Sequence, residues 1–202
     1  DRGRVNEPRF YVFKVKMKSQ KSGLQVEVEP ENVIFIKTGE EKKSAYLDGE
    51  SFISLDEKTF LVSSEGDNNH KPRREPRLFE IDPQGNFLKN WSLPQEIIPE
   101  STGMQKIGIG NNSGIEGLTL SADGLSVLAA VERPLVQDAD PEESAVRFYE
   151  YSKNDGTKFK SEYKYILSNV GLFSGVSEIL SWKDRKYFVL ERGARLELSG
   201  QV

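Results

Sequence analysis

Six glutamates recur at matching places along this chain, in three pairs: Glu50 and Glu65, Glu116 and Glu132, Glu178 and Glu191. The members of a pair lie 13 to 16 positions apart, and the first members follow one another at intervals of 66 and then 62 positions. Carboxylates gathered at one place hold hard divalent cations, which take about 6–8 oxygens from carboxylates, carbonyls and waters. Ca2+ is the favoured ion for an acidic rim of this kind. Asp67, Asn68, Asn69, Asn111, Asn112, Asp138 and Asp140 offer further oxygens in adjoining polar stretches. The same glutamates also admit a structural role, each neutralised by a repeated arginine (Arg9, Arg77, Arg147, Arg195) or by loop amides. A scaffold needs its groups in every repeat, whereas a catalytic site needs them once.

Other chemistry is scarce. The chain has no Gly-x-Ser-x-Gly elbow, and its single histidine, His70, lies in the polar run Asp67-Asn-Asn-His-Lys-Pro-Arg-Arg74. A Ser-His-Asp esterase would have to use that histidine; a lone loop histidine reads instead as a dispensable surface residue. The Arg-His-Gly nucleophile motif of the histidine acid phosphatases is absent as well. What remains for ester hydrolysis is water activated by a metal at the acidic rim, with cationic side chains holding substrate oxygens. Lys71, Arg73 and Arg74 are the candidates for that second duty, beside the plainer reading of a solvated charged loop. With no cysteine, thiolate nucleophiles, disulfides and cysteine-ligated zinc are excluded together. Gly114-Ile-Glu-Gly117 lacks the lysine and following helix of a phosphate-binding loop.

A formal net charge of −4 and a pI near 5.3 argue against a nucleic-acid partner. No stretch approaches the roughly 18 uncharged apolar residues of a membrane span.

The elements that must position the glutamates come from the repeat. Glu50, Glu116 and Glu178 open apolar runs, and Glu65, Glu132 and Glu191 close the runs that follow. Short turns join them: Asp56-Glu57-Lys58, Ser121-Ala-Asp-Gly124 and Lys183-Asp-Arg185. Each pair of runs predicts a β-hairpin. A second hairpin follows in two of the repeats, through Asp82-Pro-Gln-Gly-Asn86 and Lys153-Asn-Asp-Gly156. Four antiparallel strands per 60-odd residues are the arithmetic of a propeller blade. The fold expected is therefore an all-β propeller, read as a single domain over 1–202. It comprises an outer hairpin at 8–36, blades at about 48–98 and 114–167, and part of a blade at 175–202. An open arc would leave bare strand edges, so the chain is expected to be a portion of a longer domain. The long connections at 66–75, 99–113 and 133–145 fall at one end with the glutamates, where binding loops sit. Trp91 and Trp182 are expected to pack between blades.

The ordered series Ser63-Ser-Glu-Gly-Asp67, Asn111-Asn-Ser-Gly-Ile-Glu-Gly-Leu-Thr-Leu-Ser-Ala-Asp-Gly124, Glu132-Arg-Pro-Leu135, Val176-Ser-Glu-Ile-Leu180 and Val189-Leu-Glu-Arg-Gly193 resembles the phytase-like family, also called esterase-like activity of phytase. The resemblance spans nearly the whole chain. It implies a propeller-like fold, frequent export to the periplasm or medium, and a hydrolase of ester bonds, without identifying a catalytic residue. The expectation is an exported, metal-dependent hydrolase of phosphate or carboxylic esters. The alternative is a non-catalytic propeller acting as a binding or scaffold module of the cell envelope.

Overall fold

The computed structural model describes residues 7–21, 23–39, 46–140, 143–168 and 172–194. They form twelve strands in four antiparallel sheets. The first sheet is the hairpin of β1 (Arg9–Gln20) and β2 (Gly23–Phe35). The second holds β3 (Gly49–Asp56), β4 (Thr59–Ser64), β5 (Arg77–Ile81) and β6 (Phe87–Trp91), side by side in chain order. The third repeats that order with β7 (Ile115–Leu120), β8 (Ser126–Val131), β9 (Ala145–Ser152) and β10 (Asp155–Ile166). The fourth is the hairpin of β11 (Leu172–Lys183) and β12 (Lys186–Ala194). Helix among the described residues is limited to two single 3-10 turns, Gln95–Ile97 and Val136–Asp138.

The all-β class and the two four-stranded sheets agree with the sequence pattern. A closed ring is not formed: among the described residues β12 pairs with β11 alone and β1 with β2 alone. Residues 195–202, the rest of the expected last blade, lie outside the described residues, and Arg195 with them.

Local chemistry explains the hairpins. In the β7–β8 turn, the Ser121 hydroxyl donates to Asp123 at 2.6 Å, and the Gly124 amide donates to the Ser121 carbonyl at 2.8 Å. Gly124 sits at φ +70°, where only glycine is free of strain. Strand β8 shows why the sheets stack. Its residues alternate between faces with a period of two, and both sets are apolar. Val127, Ala129 and Val131 join Leu61, Leu78, Ile115 and Tyr149 in the core between the second and third sheets. Leu128 and Ala130 join Phe148, Val176 and Ile179 between the third and fourth. A third core, Leu47, Val62, Phe79 and Ile81, receives Phe10 and Ile36 from the first hairpin's end of the molecule. Full burial of one such side chain stabilises by about 1.5–3 kcal/mol.

Trp91 packs between sheets as expected, its ring 5.3 Å from that of Tyr151 and its indole N–H donating to Glu80 at 2.7 Å. Trp182 does not: it is 58% exposed, beside Phe188.

Candidate metal centre

The inner strands β3, β7 and β11 lie beside one another, and each begins with a β-bulge. The ladder jumps between Gly49 and Phe52, between Ile115 and Gly117, and between Val176 and Glu178. A bulge re-aims the side chain it carries. The bulged residues include Glu50 in β3 and Glu116 in β7; in β11 the place belongs to Ser177.

The ends of β4 and β8 supply the second set of carboxylates. The Glu65 amide donates to the Asp48 carbonyl at 3.1 Å, and the Glu132 amide donates in the same way to Gly114 at 2.8 Å. Each of these glutamates also abuts the opening of the next sheet. Gly114 donates its N–H to Glu65 Oε2 at 3.1 Å, and a Cβ at Gly114 would lie 2.2 Å from Glu65 Cβ. The Val176 amide donates to the Glu132 carbonyl at 2.9 Å, and a Cβ at Gly175 would lie 3.0 Å from Glu132 Cγ. Glycine is required at both joints so that backbone can approach a glutamate closely.

Four of the six predicted glutamates are thereby brought together. Asp48, Glu50 and Glu65 form one group, and Glu65, Glu116 and Glu132 another, with one ligand oxygen from each residue within 4.8 Å of the others in its group. Asp48, Glu65, Glu116 and Glu132 are buried, while Glu50 reaches solvent.

The electrostatics follow. Loss of hydration, then the charges of Glu116, Glu65 and Asp48, push the Glu50 carboxyl up to about 8. Glu116 is pushed up to about 7 by burial and by Glu132, against the opposing pull of Arg192. Burial also raises Glu65, opposed by the N–H of Gly114.

Glu178 and Glu191 do not join the cluster. Val176 pairs with Glu191 as Ile115 pairs with Val131, so Arg192, not Glu191, stands where Glu132 stands. A slip of one residue turns every side chain to the opposite face of a strand. Glu191 accordingly accepts from the Tyr165 hydroxyl at 2.5 Å and from the Ser168 amide at 2.8 Å, and Glu178 is exposed. Arg192 reaches back to Glu132 Oε1 at 2.6 Å and Glu116 Oε1 at 3.5 Å. Arg133 Nε lies 3.2 Å from the same Glu132 oxygen. Glu132 Oε2 is buried with no hydrogen-bond partner.

The arginines expected to neutralise the rim act elsewhere. Arg77 donates to the Thr38 carbonyl at 2.8 Å and to Asn90; Arg147 grips Asp138 and Glu162; Arg9 stands over the Tyr11 ring. Asp138 is thereby paired, and Asp67 caps the amides of Asn69 and His70. His70 is exposed, with Nδ1 2.7 Å from the Pro72 carbonyl.

Gly66, next to Glu65, opens onto a cleft of about 990 Å3 whose wall includes Arg73, Arg74 and Arg77. Arg73 braces a loop by donating to the carbonyls of Glu100 and Gly103, each at 2.6 Å. Arg74 lies 4.5 Å over the Tyr46 ring, and Lys71 is exposed beyond this wall. Asp48 and Arg192 are the functional residues that residue types alone missed. Aligning Gly175 with Gly114, rather than glutamate with glutamate, points to Arg192.

A donor set made wholly of carboxylates suits a hard cation and does not suit a metal that needs nitrogen or sulfur. The buried, unpartnered Glu132 Oε2 is consistent with a cation there.

Repeated four-stranded antiparallel sheets with carboxylates on their inner strands define an all-β protein. The family model for phytase-like domains, described as esterase-like activity of phytase, matches residues 1–201, and the chain belongs to that family. No curated protein and no solved structure matches it significantly.

Proposed function

We propose that this chain is an ester hydrolase whose carboxylate cluster holds Ca2+, with Asp48, Glu50 and Glu65 as the principal ligands and Glu116 and Glu132 beside them. The observation that carries the reading is crowding of carboxylates: Asp48, Glu50 and Glu65 bring oxygens within 4.8 Å of one another, burial and then the neighbouring charges raise Glu50, and Glu132 keeps a buried oxygen without a partner. A bound Ca2+ would supply positive charge to polarise an ester or phosphoryl oxygen and to lower the pKa of water. The chain's own residues orient the substrate. Arg74 and Arg77 face the cleft beside Gly66, where guanidinium groups suit phosphate oxygens. Arg73 holds the loop that presents them. Lys71 adds charge at the edge. An exported location, periplasmic or extracellular, fits this reading, because Ca2+ there reaches the ~10⁻⁴–10⁻³ M that fills weak carboxylate sites.

A second reading, a non-catalytic scaffold, is favoured by the Arg192 bridge to Glu132 and by the two glycine joints. Calorimetric titration with Ca2+ and hydrolysis of p-nitrophenyl phosphate and acetate, with and without chelator, separate the two. The hydrolase reading expects chelator-sensitive turnover and at least tenfold weaker Ca2+ binding in Glu65→Gln. Ca2+ binding without turnover of any ester leaves the scaffold; turnover indifferent to chelator sinks the cation.

A further inference from the structure

The two halves of the carboxylate cluster carry different counter-charge. Asp48, Glu50 and Glu65 form the half that opens to solvent through Glu50, and among the described residues no lysine or arginine bridges Glu50 or Glu65. Glu65, Glu116 and Glu132 form the other half, all three of them buried. There a guanidinium is already in place. Arg192 Nη2 lies 2.6 Å from Glu132 Oε1 and 3.5 Å from Glu116 Oε1, and Arg133 Nε lies 3.2 Å from the same Glu132 oxygen.

The repeat shows what this guanidinium replaces. Strands β4 and β8 each run into a closing glutamate, Glu65 and Glu132. In the β11–β12 hairpin, Val176 pairs with Glu191 as Ile115 pairs with Val131, so the closing place belongs to Arg192. The joint at Gly175, where a Cβ would lie 3.0 Å from Glu132 Cγ, sets the hairpin close enough for that side chain to reach both glutamates. A fixed positive charge thus stands where the two preceding repeats place a carboxylate.

An ion ligated by Glu116 and Glu132 would stand about 2.3–2.6 Å from their oxygens. The guanidinium already claims one oxygen of each. Ion and guanidinium would compete for the same lone pairs, and at a few ångströms in a buried site their like charges repel strongly. Yet this half retains an unused ligand atom. Glu132 is 0% exposed, and its Oε2 has no hydrogen-bond partner, a costly state for a buried carboxylate oxygen. One guanidinium therefore occupies the site without satisfying it.

We propose that Arg192 fills a second cation site, so that this chain takes one Ca2+, at Asp48, Glu50 and Glu65, where its carboxylates would otherwise hold two. The guanidinium acts as a built-in counter-ion. It neutralises Glu116 and Glu132 without metal and confines the exchangeable ion to the half that Glu50 opens to solvent. The inference rests on the Ca2+ reading above for the first site, and on the Arg192 contacts and the unpartnered Glu132 oxygen for the second.

Calorimetric titration with Ca2+ alone, of the wild-type chain and of Arg192→Gln, tests it. One ion per wild-type chain is expected, and two per Arg192→Gln chain, the second bound more weakly because Arg133 remains beside Glu132. Adding Glu132→Gln to Arg192→Gln should return the ratio to one. Arg192→Met, which keeps an apolar stem of similar reach, replaces the glutamine variant if circular dichroism shows that one unfolded. Glu132→Gln in the otherwise wild-type chain should still bind one ion, because Arg192 and not the ion holds that carboxylate; loss of the ion there overturns the proposal. Two ions on the wild-type chain, or one on the folded Arg192 variants, overturn it as well and leave the first site standing. No ion on the wild-type chain removes the Ca2+ reading instead. In that case a single ion gained by Arg192→Gln still assigns the second site to Arg192, and none overturns both.

Discussion

Gly114 shows how much a single residue settles here. Its N–H neutralises part of Glu65, and its missing side chain lets the two backbones meet. Gly114→Ala would put a methyl 2.2 Å from Glu65 Cβ and 2.8 Å from Glu65 Cα, so the joint must open. A cost of about 1–3 kcal/mol, as for other overpacked sites, is expected in urea denaturation. An unchanged midpoint would mean that the sheets slide freely past one another. His70 stands at the other extreme. It is exposed and bound only to its own loop among the contacts seen. His70→Ala should retain at least half of any p-nitrophenyl ester hydrolysis, and a folded variant without activity would revive a triad.

At the scale of elements, the inner strands were legible in the sequence and their register only in part. Alternating apolar runs with short polar turns are what four-stranded sheets require, and β3–β6 and β7–β10 follow them. Glu50, Glu65, Glu116 and Glu132 were legible because their strands repeat with the same bulge. The fourth hairpin was matched by residue type, and there the match failed. Its bulge carries Ser177 and its closing position carries Arg192, so Glu178 and Glu191 turn away from the cluster. Asp48 was missed because it is recruited by a backbone bond to Glu65, which leaves no mark in composition. The position of Arg192 has a measurable consequence. Arg192→Ala removes a donor from the fully buried Glu132, which costs about 1 kcal/mol, because the half-exposed guanidinium pairs through solvent on its other side. Added Ca2+ should restore the lost stability, since both cations answer the same carboxylates. Destabilisation that Ca2+ leaves untouched would assign Arg192 to packing alone.

Across the whole molecule, the cluster links stability to both pH and Ca2+. Glu50 and Glu116 are raised to about 8 and about 7, above the 4.5 of an ordinary glutamate, so the folded chain holds protons that the unfolded chain has released. Stability from these groups is complete below about pH 4.5 and is lost as pH rises through 7 and 8. Without cation, the melting temperature should therefore fall between pH 5 and pH 8. Ca2+ binds the ionised carboxylates and displaces their protons, so its effect must run the opposite way. At 100 times its dissociation constant a ligand stabilises by about 2.7 kcal/mol, which for a chain of this size corresponds to roughly 5–10 °C. That increment should be larger at pH 8, where most of the carboxylate protons have already been released, than at pH 5, where the ion must displace them. Glu65→Gln should abolish most of it, because Glu65 belongs to both carboxylate groups. Thermal melts at the two pH values, with Ca2+ and with chelator, measure all four quantities at once. An increment equal at pH 5 and pH 8 would place the ion away from Glu50 and Glu116, and an absent one would leave Arg192, Arg133 and the amides to counter the cluster's charge.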